Sequence, residues 1–319
     1  METTTLQVDA AWPDIIEFLA AALPMYPMNV IRRVVARGDV AVDGKRIDHS
    51  FVPEAGQTVV VTVPEEPIVV FEPTPLPLEV LHEDAHVLVV NKQAGLSVVP
   101  DPSSLECKFI NGLLHYVRNE SAMPCQRIHV VHRLDKGTSG ALVVAKDVAT
   151  ARHLSERFEQ RQVLKLYLGL VRGEVAEEEG DVDRAIAQHT RGRMRLRERR
   201  GRAAQSHYRV VERFRGYTLM EVQPHTGRQH QVRLHMSAIG HPLAVDKLYG
   251  GQDAIRLSEI KPGYRPKANR PETPLMDRLT LHARHLELDL ADGTRLVVDA
   301  PLPDDFERLL RALRKYAAV

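Results

Sequence analysis

Hydrophobic positions in the first part of the chain follow helical and strand periods in turn. Apolar residues recur at helical intervals over Ile15–Leu23 and again over Met28–Arg37. A hairpin is predicted where Val40–Val42 meets the turn pair Asp43-Gly44, and Thr58–Val63 alternates like a strand that closes a sheet. This order of elements predicts a small α/β module over residues 1–64.

The rest of the chain is predicted to be a linker followed by one larger domain. Residues 65–77 are rich in proline and acidic side chains, which indicates a semi-rigid linker, and the domain is predicted over residues 78–319. Its predicted strands are Val87–Val90, Ile128–Val131, Ala141–Ala145, Leu164–Val171, Ser206–Phe214, Tyr217–Gln223, Leu279–Ala283, Leu286–Leu290 and Leu296–Val298. Its predicted helices are Lys108–Arg118, a helix from the cap Asp147 to Gln160, a helix from a capping-box start at Thr226 to Ile239, and Asp304–Tyr316.

The composition of the chain excludes several classes of protein but does not by itself indicate a binding partner. The 319 residues are 44% apolar, and the net charge is only +1, so a nucleic-acid partner would have to bind a local basic patch. The two cysteines, Cys107 and Cys125, are too few for a disulfide framework or a zinc site. No apolar run approaches the ~20 residues of a membrane span. We therefore expect a cytoplasmic protein with no membrane partner.

Seven arginines between residues 191 and 202 form the most basic stretch of the chain. This concentration predicts an arm that contacts phosphate groups, through Arg193, Arg195 and Arg197 among others. The alternative is an ordinary solvated loop.

A polar loop between two predicted strands, His132 to Gly140, carries the most distinctive candidate chemistry. Asp135 is its only acid, and Arg133 and Lys136 flank it, which favours the carboxylate form. An ionised carboxylate in a basic loop is a candidate nucleophile or base toward a polyanionic substrate. The alternative is a tight turn, because Asp-Lys-Gly and Ser-Gly are common turn sequences.

The segment after residue 225 holds arginines that could face this carboxylate. A buried Arg233 would keep Asp135 ionised and oriented, and Arg228 competes with it for that place. His225, His230 and His235 could instead suggest a metal site, but a spacing of five residues does not put helical side chains on one face. We therefore expect no metal.

The run His132–Gly140 resembles the catalytic motif of the RluA-type pseudouridine synthases, although Lys136 stands where the family usually has arginine. Gln93 likewise stands where proline is usual. Four further segments resemble the family's other motifs in the same order. These segments are Val87–Leu96, Lys165–Gly173, Thr226–His235 and the stretch from His241-Pro242 through Asp246–Gly250.

The resemblance implies an α+β pseudouridine synthase fold, with a mixed, mostly antiparallel sheet, flanking helices and a central cleft. It implies that the protein isomerises specific uridines of structured RNA, most plainly large-subunit ribosomal RNA, without a cofactor. Asp135 would be the catalytic residue, with Tyr167 and Arg233 beside it. A strand tyrosine could instead serve packing alone. Arg133 would fill the space left by the flipped uridine or bind phosphate, and His132 and Thr138 would also contact substrate.

Residues 1–64 resemble the alpha-L RNA-binding module, and the alternative is a subdomain that only stabilises the chain. Two other functions stay open: a transfer-RNA pseudouridine synthase, and a catalytically idle RNA-binding or ribosome-assembly factor on the same scaffold. The pseudouridine content of total RNA separates the last from a synthase. A metal-dependent nuclease is a more distant rival, which insensitivity to a chelator would dismiss. We expect a monomer with RNA as its partner.

Overall fold

The structure is a computed structural model that describes residues 2–10, 12–23, 26, 28–63, 71–98, 108–125, 127–190, 193–199, 201–265 and 271–319. It divides the chain into two compact units, Met1–Phe71 and Glu72–Val319. Residues 65–70 of the predicted linker, together with Cys107, Arg191 and Arg200, lie outside the described residues. The domain limits drawn at residues 64 and 78 stay a prediction.

The first unit packs two helices on one antiparallel sheet of order β1-β4-β2-β3. Its elements are β1 (Glu2–Gln7), α1 (Ile15–Ala22), α2 (Met28–Ala36), β2 (Val40–Val42), β3 (Lys45–Arg46) and β4 (Thr58–Val63). Asp14 caps α1 by accepting a hydrogen bond from the Glu17 backbone N–H at 2.8 Å. The alternating burial of β4 follows its sequence period, with Val59, Val61 and Val63 in the core. The predicted helices and hairpin are confirmed, whereas β1 was not predicted.

The second unit is built from strands with helices around them. Its strands are β5 (Glu79–Glu83), β6 (Val87–Lys92), β7 (His129–Val130), β8 (Ser139–Ala145), β9 (Leu164–Arg172), β10 (Glu179–Asp183), β11 (Ile186–Thr190), β12 (Arg193–Leu196), β13 (Gln205–Phe214), β14 (Tyr217–Pro224), β15 (Leu281–Asp289) and β16 (Arg295–Asp299). Its helices are α3 (Lys108–Asn119), α4 (Val148–Glu159), α5 (Gln231–Ala238), α6 (Leu257–Ile260) and α7 (Asp304–Tyr316). Among the helices of the described ranges, none has both the length and the apolar character needed to cross a membrane.

One large sheet runs through the second unit in the order β10-β13-β14-β9-β15-β8-β6-β5, with β16 beside β15 and β7 beside β8. Neighbouring strands are antiparallel except β15 and β8, which pair in parallel. The predicted α+β class with a mixed, mainly antiparallel sheet is therefore confirmed. Helix α4 packs on β8, and α5 lies against β12 and β14.

Gly140 determines how closely β8 can approach β15. Its φ is 119°, and a Cβ atom at this position would lie 2.2 Å from the carbonyl oxygen of Ala283. Any side chain would therefore force the two strands apart, and glycine also tolerates this φ without strain. Because β8 begins at Ser139, the same contact fixes where the preceding loop ends.

Four predicted boundaries are wrong. The strand predicted over Ile128–Val131 is only the two-residue, half-buried β7. The two strands predicted between residues 279 and 290 are one strand, β15, with an irregularity between Ala283 and His285. The polar loop ends at residue 138 because Ser139 already belongs to β8. The fourth error concerns helix α5.

Helix α5 begins at Gln231 and not at Thr226. The Thr226 hydroxyl donates to Oε1 of Gln231 at 2.6 Å, and the Arg228 backbone N–H donates to the same oxygen at 3.0 Å. The amide that closes this arrangement therefore belongs to Gln231, two residues beyond the predicted Gln229. As a result, Arg233 is the third residue of the helix and lies near its N-terminus.

Candidate active site

The segment His132–Thr138, here called the Asp135 loop, is held by its own backbone. The Thr138 N–H donates to the carbonyl of Asp135 at 3.0 Å, which closes a turn. The Gly95 N–H donates to the carbonyl of Lys136 at 2.7 Å and ties the loop to the turn after β6. The sequence therefore does form a tight turn, and Asp135 is the residue whose carbonyl closes it.

Two imidazoles, those of His132 and His282, fix the ends of the loop. Nε2 of His132 accepts the Val143 N–H at 3.0 Å while its ring stacks on Phe158 with centroids 4.5 Å apart. Burial, with the nearby charge of Lys165, lowers the pKa of His132 to about 3, so the ring is neutral and available as an acceptor. At the other end, Nδ1 of His282 lies 2.9 Å from the hydroxyl of Ser139.

Arg233 lies between two carboxylates. Its Nε and Nη2 donate to the two oxygens of Asp246 at 2.7 and 2.8 Å, and its Nη1 donates to Oδ2 of Asp135 at 3.3 Å. Burial opposes the charge on Arg233, but the hydrogen bonds and charge of Asp246, and the charge of Asp135, outweigh it and raise its pKa above the usual value. Arg233 is therefore a permanent cation. A bidentate ion pair with the buried Asp246 holds it in place while it donates to Asp135.

Asp135 is the open end of this arrangement. Its side chain keeps 17% of its exposure, whereas the side chain of Asp246 keeps 1%. Nε2 of His230 lies 4.0 Å from Oδ1 of Asp135, on the other oxygen from Arg233. An ionised carboxylate that is oriented from one side and open on another has the geometry of a nucleophile.

His230 and Tyr249 form a buried pair next to this carboxylate. Nδ1 of His230 lies 2.7 Å from the Tyr249 hydroxyl, and that hydroxyl accepts the backbone N–H of Met194 at 3.0 Å. The Tyr249 ring also lies beneath Arg233, with Cζ 4.9 Å from the ring centroid. These contacts connect β12 to the neighbourhood of Asp135.

Tyr167 and Lys92 line the site from the sheet. Tyr167 stands in β9 opposite Ala283 and Val222, and burial, with the charge of Asp135, raises the pKa of its phenol, which is therefore protonated. Lys92 ends the buried strand β6 and donates to the carbonyls of Gln93 and Leu96 at 2.8 and 3.0 Å. Burial lowers its pKa to about 7, an effect that the charge of Asp135 opposes.

The predicted substrate contacts separate into exposed and buried groups. Arg133 is exposed on the Asp135 loop, and Arg193, Arg195 and Arg197 are exposed on or just after β12. Thr138, by contrast, is 1% exposed, and the imidazole of His132 is engaged by Val143. Their placement shows that these two residues hold the loop, and their contact with substrate stays a prediction.

The two remaining sequence alternatives are answered by geometry. Nε of Arg228 donates to the carbonyl of Ala203, so it is Arg233 that faces Asp135. The three histidines of the metal reading do not converge: His230 faces Tyr249, His235 bonds Ser206 and the Arg184 carbonyl, and His225 is exposed. Within the described ranges, no group of three or more His, Cys, Asp or Glu side chains could hold a metal ion.

Sequence reasoning weighed His230 only as a metal ligand and gave no individual role to three other residues that shape the site: Asp246, Tyr249 and Lys92. A signal existed for two of them. Lys92 is a charged residue at the end of an apolar strand, and Asp246 follows the apolar run Leu243–Val245. A charged residue next to an apolar run is unusual in a protein interior, and this is the signal that could have found them. His230 and Tyr249 show their pairing only in the folded chain.

Comparisons of the sequence and of the fold with known proteins both find pseudouridine synthases. The model of the RNA pseudouridylate synthase family matches residues 86–238, which include Asp135, Tyr167 and Arg233. Ribosomal large subunit pseudouridine synthase D of Xanthomonas campestris is 37% identical over 302 residues, which are 94% of this chain and 88% of that protein.

Two further relatives extend this similarity. Ribosomal large subunit pseudouridine synthase D of Pseudomonas aeruginosa is 36% identical over 301 residues, covering 94% of this chain and 91% of that protein. Among solved structures, human RNA Pseudouridylate Synthase Domain Containing 4 superposes with a TM-score of 0.57 at 27% identity, covering 74% of this chain and 93% of the human chain.

Proposed function

Because the chain belongs to the RNA pseudouridylate synthase family, we propose that it converts specific uridines of large-subunit ribosomal RNA to pseudouridine, with Asp135 as the nucleophile. The observation that carries the proposal is that the partly exposed carboxylate of Asp135 is oriented by Arg233. Both residues lie in the segment that the family model matches. The similarity to two synthases named for the large ribosomal subunit supports the choice of RNA.

The reaction exchanges one glycosidic bond for another. The bond from ribose C1′ to N1 of uracil breaks, the base turns, and C1′ bonds to C5 of the same base. C5 then loses its proton, and N1 ends with one, so the net change is an isomerisation. A carboxylate near C1′ stabilises or traps the cationic sugar between the two steps, as in retaining glycosidases. No water has to be activated, so one open carboxylate is sufficient.

The other residues would bind the RNA and position its base. The uridine must leave its stack to reach Asp135, and the protonated, flat ring of Tyr167 would stack on the freed uracil. Arg133 would enter the vacated space or bind a neighbouring phosphate. Arg193, Arg195 and Arg197 would contact phosphates farther along the RNA.

The experiment that tests this function maps pseudouridines in ribosomal and transfer RNA of cells that lack the protein. We expect pseudouridines to disappear from large-subunit ribosomal RNA, to return with the wild-type protein and to stay absent with Asp135→Asn. Losses confined to transfer RNA would contradict the proposed substrate. Unchanged RNA would support the idle-factor alternative and contradict the synthase.

We also propose that the first unit is an RNA-binding module, because it is a compact unit with its own buried core. Removal of residues 1–71 should weaken RNA binding while the circular dichroism spectrum of the remainder stays that of a folded protein. Loss of the folded spectrum would contradict this division of labour. A ribosomal RNA substrate further leads us to propose a cytoplasmic enzyme, which we expect to sediment as a monomer.

A further inference from the structure

A chain of polar contacts runs from the backbone of β12 to the proposed nucleophile. The segment formed by β11, β12 and the following residues to Arg199 is here called the arginine hairpin. Its Met194 N–H donates to the Tyr249 hydroxyl at 3.0 Å, and that hydroxyl lies 2.7 Å from Nδ1 of His230. Nε2 of His230 then faces Oδ1 of Asp135 at 4.0 Å. One tyrosine and one histidine thus connect the proposed RNA-binding hairpin to Asp135.

The direction of each hydrogen bond follows from the donors available. The Met194 N–H can only donate, so the Tyr249 oxygen accepts, and the proton of that hydroxyl is left for Nδ1 of His230. Burial raises the pKa of Tyr249 and lowers that of His230, so a protonated phenol meets a neutral imidazole. With Nδ1 accepting, the ring proton resides on Nε2, which is the nitrogen that faces Asp135.

The backbone at His230 is consistent with a functional demand on this ring. Its φ is 57°, in the left-handed region that non-glycine residues seldom adopt, and its side chain makes no capping bond to α5. Such a conformation costs about 1–3 kcal/mol and persists only where the surrounding structure enforces it. Here it directs the imidazole between Tyr249 and Asp135.

We propose that His230 is a positioning residue that orients Asp135 through its Nε2–H, and that the arginine hairpin controls this orientation through Tyr249. The inference rests on the proposed function, because it takes Asp135 as the nucleophile. The separation of 4.0 Å is longer than a hydrogen bond. We expect it to shorten when RNA is bound, because catalytic hydrogen bonds often tighten only in the substrate complex. Asp135 is then held on both oxygens, by Arg233 and by His230.

The charges around His230 set how it responds to pH. Asp135 and Asp246 favour its protonated form, while Arg233, Arg133 and burial favour the neutral form. The hydrogen bond from Tyr249 adds to the neutral side, since only the neutral ring can accept at Nδ1. Removing that hydroxyl should therefore raise the pKa of His230, and its protonation would place a full positive charge against the nucleophile.

The test compares Tyr249→Phe with Tyr217→Phe, a matched control. Each change deletes one phenolic oxygen of a buried residue, and the Tyr217 hydroxyl accepts a hydrogen bond from Gln252 at 3.2 Å within a different hydrophobic cluster. The substrate is large-subunit ribosomal RNA transcribed with tritium at C5 of its uridines, and the measurement is single-turnover tritium release from pH 5 to 9.

For Tyr249→Phe we expect a rate about tenfold lower near neutral pH, because the hydrogen bond that orients His230, and through it Asp135, is lost. We also expect the acid limb of the rate profile to move to higher pH, while the RNA dissociation constant changes less than about twofold. The Tyr217→Phe profile should match the wild type. A Tyr249→Phe profile with an unmoved acid limb would overturn the inference, because a merely structural tyrosine lowers the rate without that shift.

A second pair of variants tests the hairpin end of the chain. Met194→Pro deletes the N–H that donates to Tyr249, whereas Met194→Ala removes only the side chain. The rate should therefore be lower for the proline variant than for the alanine variant. Equal rates would contradict control by the hairpin. Both results are distinct from failure of the proposed function, in which the wild-type protein itself releases no tritium.

Discussion

The Asp135 loop and the arginine hairpin lie on either side of the His230–Tyr249 pair. They differ in how firmly they are held and in how exposed their functional side chains are. The loop is fixed by the imidazoles of His132 and His282 and by backbone hydrogen bonds such as that from Gly95 to Lys136. The hairpin pairs only two short strands, and its arginine side chains are exposed. A group that reacts must stay within a fraction of an ångström of its position, whereas a group that meets phosphate needs reach and charge.

This difference predicts that changes under the loop affect stability or rate and that changes to the exposed arginine side chains of the hairpin affect RNA binding.

Gly140→Ala should be the most disruptive single change near the loop. Its Cβ would lie 2.2 Å from the Ala283 carbonyl oxygen at a φ of 119°, so the β8–β15 contact must open. We expect a loss of about 4 kcal/mol in the free energy of unfolding, measured by urea denaturation. Gly216→Ala is the control: its φ is 81° but nothing lies within 4 Å, so it should cost about 1 kcal/mol. Equal losses would contradict the close approach.

Arg233→Lys should retain a charge but lose the fork that spans Asp246 and reaches Asp135. A lysine offers one ammonium in place of three directed N–H groups, so the carboxylate is no longer held in place. We expect single-turnover tritium release to fall about 100-fold with little change in RNA affinity. Arg209→Lys, at an exposed pair with Glu221, should leave the rate unchanged. A normal rate for Arg233→Lys would show that its geometry is not needed.

The sequence predicted the elements whose pattern is local and missed those that depend on distant partners. Strand β4 and helix α7 were predicted at their observed limits because alternation and amphipathic spacing are strong there. Strand β1 was missed because its run of threonines becomes a strand only beside β4.

The same reasoning separates the parts of the site. Asp135 was singled out by the charges next to it in the sequence, with a tight turn as the alternative, and by its place in the motif that resembles the family's. The pairing of Arg233 with Asp246 was not, because thirteen residues and a helix end separate them. The tyrosine that bridges His230 and Met194 is likewise a product of the fold alone.

Neutralising the arginine side chains of the hairpin should weaken RNA binding and leave the rate of the chemical step unchanged. Replacing Arg193, Arg195, Arg197 and Arg199 by glutamine should weaken RNA binding and flatten the dependence of log affinity on log salt. Each lost phosphate contact should reduce that slope by about 0.7–0.9. The single-turnover rate at saturating RNA should stay close to that of the wild type. An unchanged salt slope would mean that the hairpin does not contact RNA.

Lys92 offers a smaller effect with a defined sign. Its pKa is about 7 in the folded protein against 10.5 ordinarily, so between these values the unfolded chain binds a proton that the folded chain does not. The free energy of unfolding should therefore rise with pH over this window, by up to about 1.4 kcal/mol per pH unit from this group. Lys92→Met should lack this gain, so urea midpoints of both proteins at pH 7 and pH 9 test it. Parallel changes would contradict burial of the amine.

The central claim is that Asp135 supplies the negative charge of the reaction, and Asp135→Asn tests it most directly. Asparagine nearly matches the size of aspartate and is favoured in turns, so the loop should keep its shape and RNA its affinity. It cannot supply the charge that a nucleophile or a partner of the cationic sugar must carry. We predict that single-turnover release of tritium from C5 falls by several orders of magnitude while the RNA dissociation constant stays within about twofold. Release by Asp135→Asn at a rate close to that of the wild type would contradict the account.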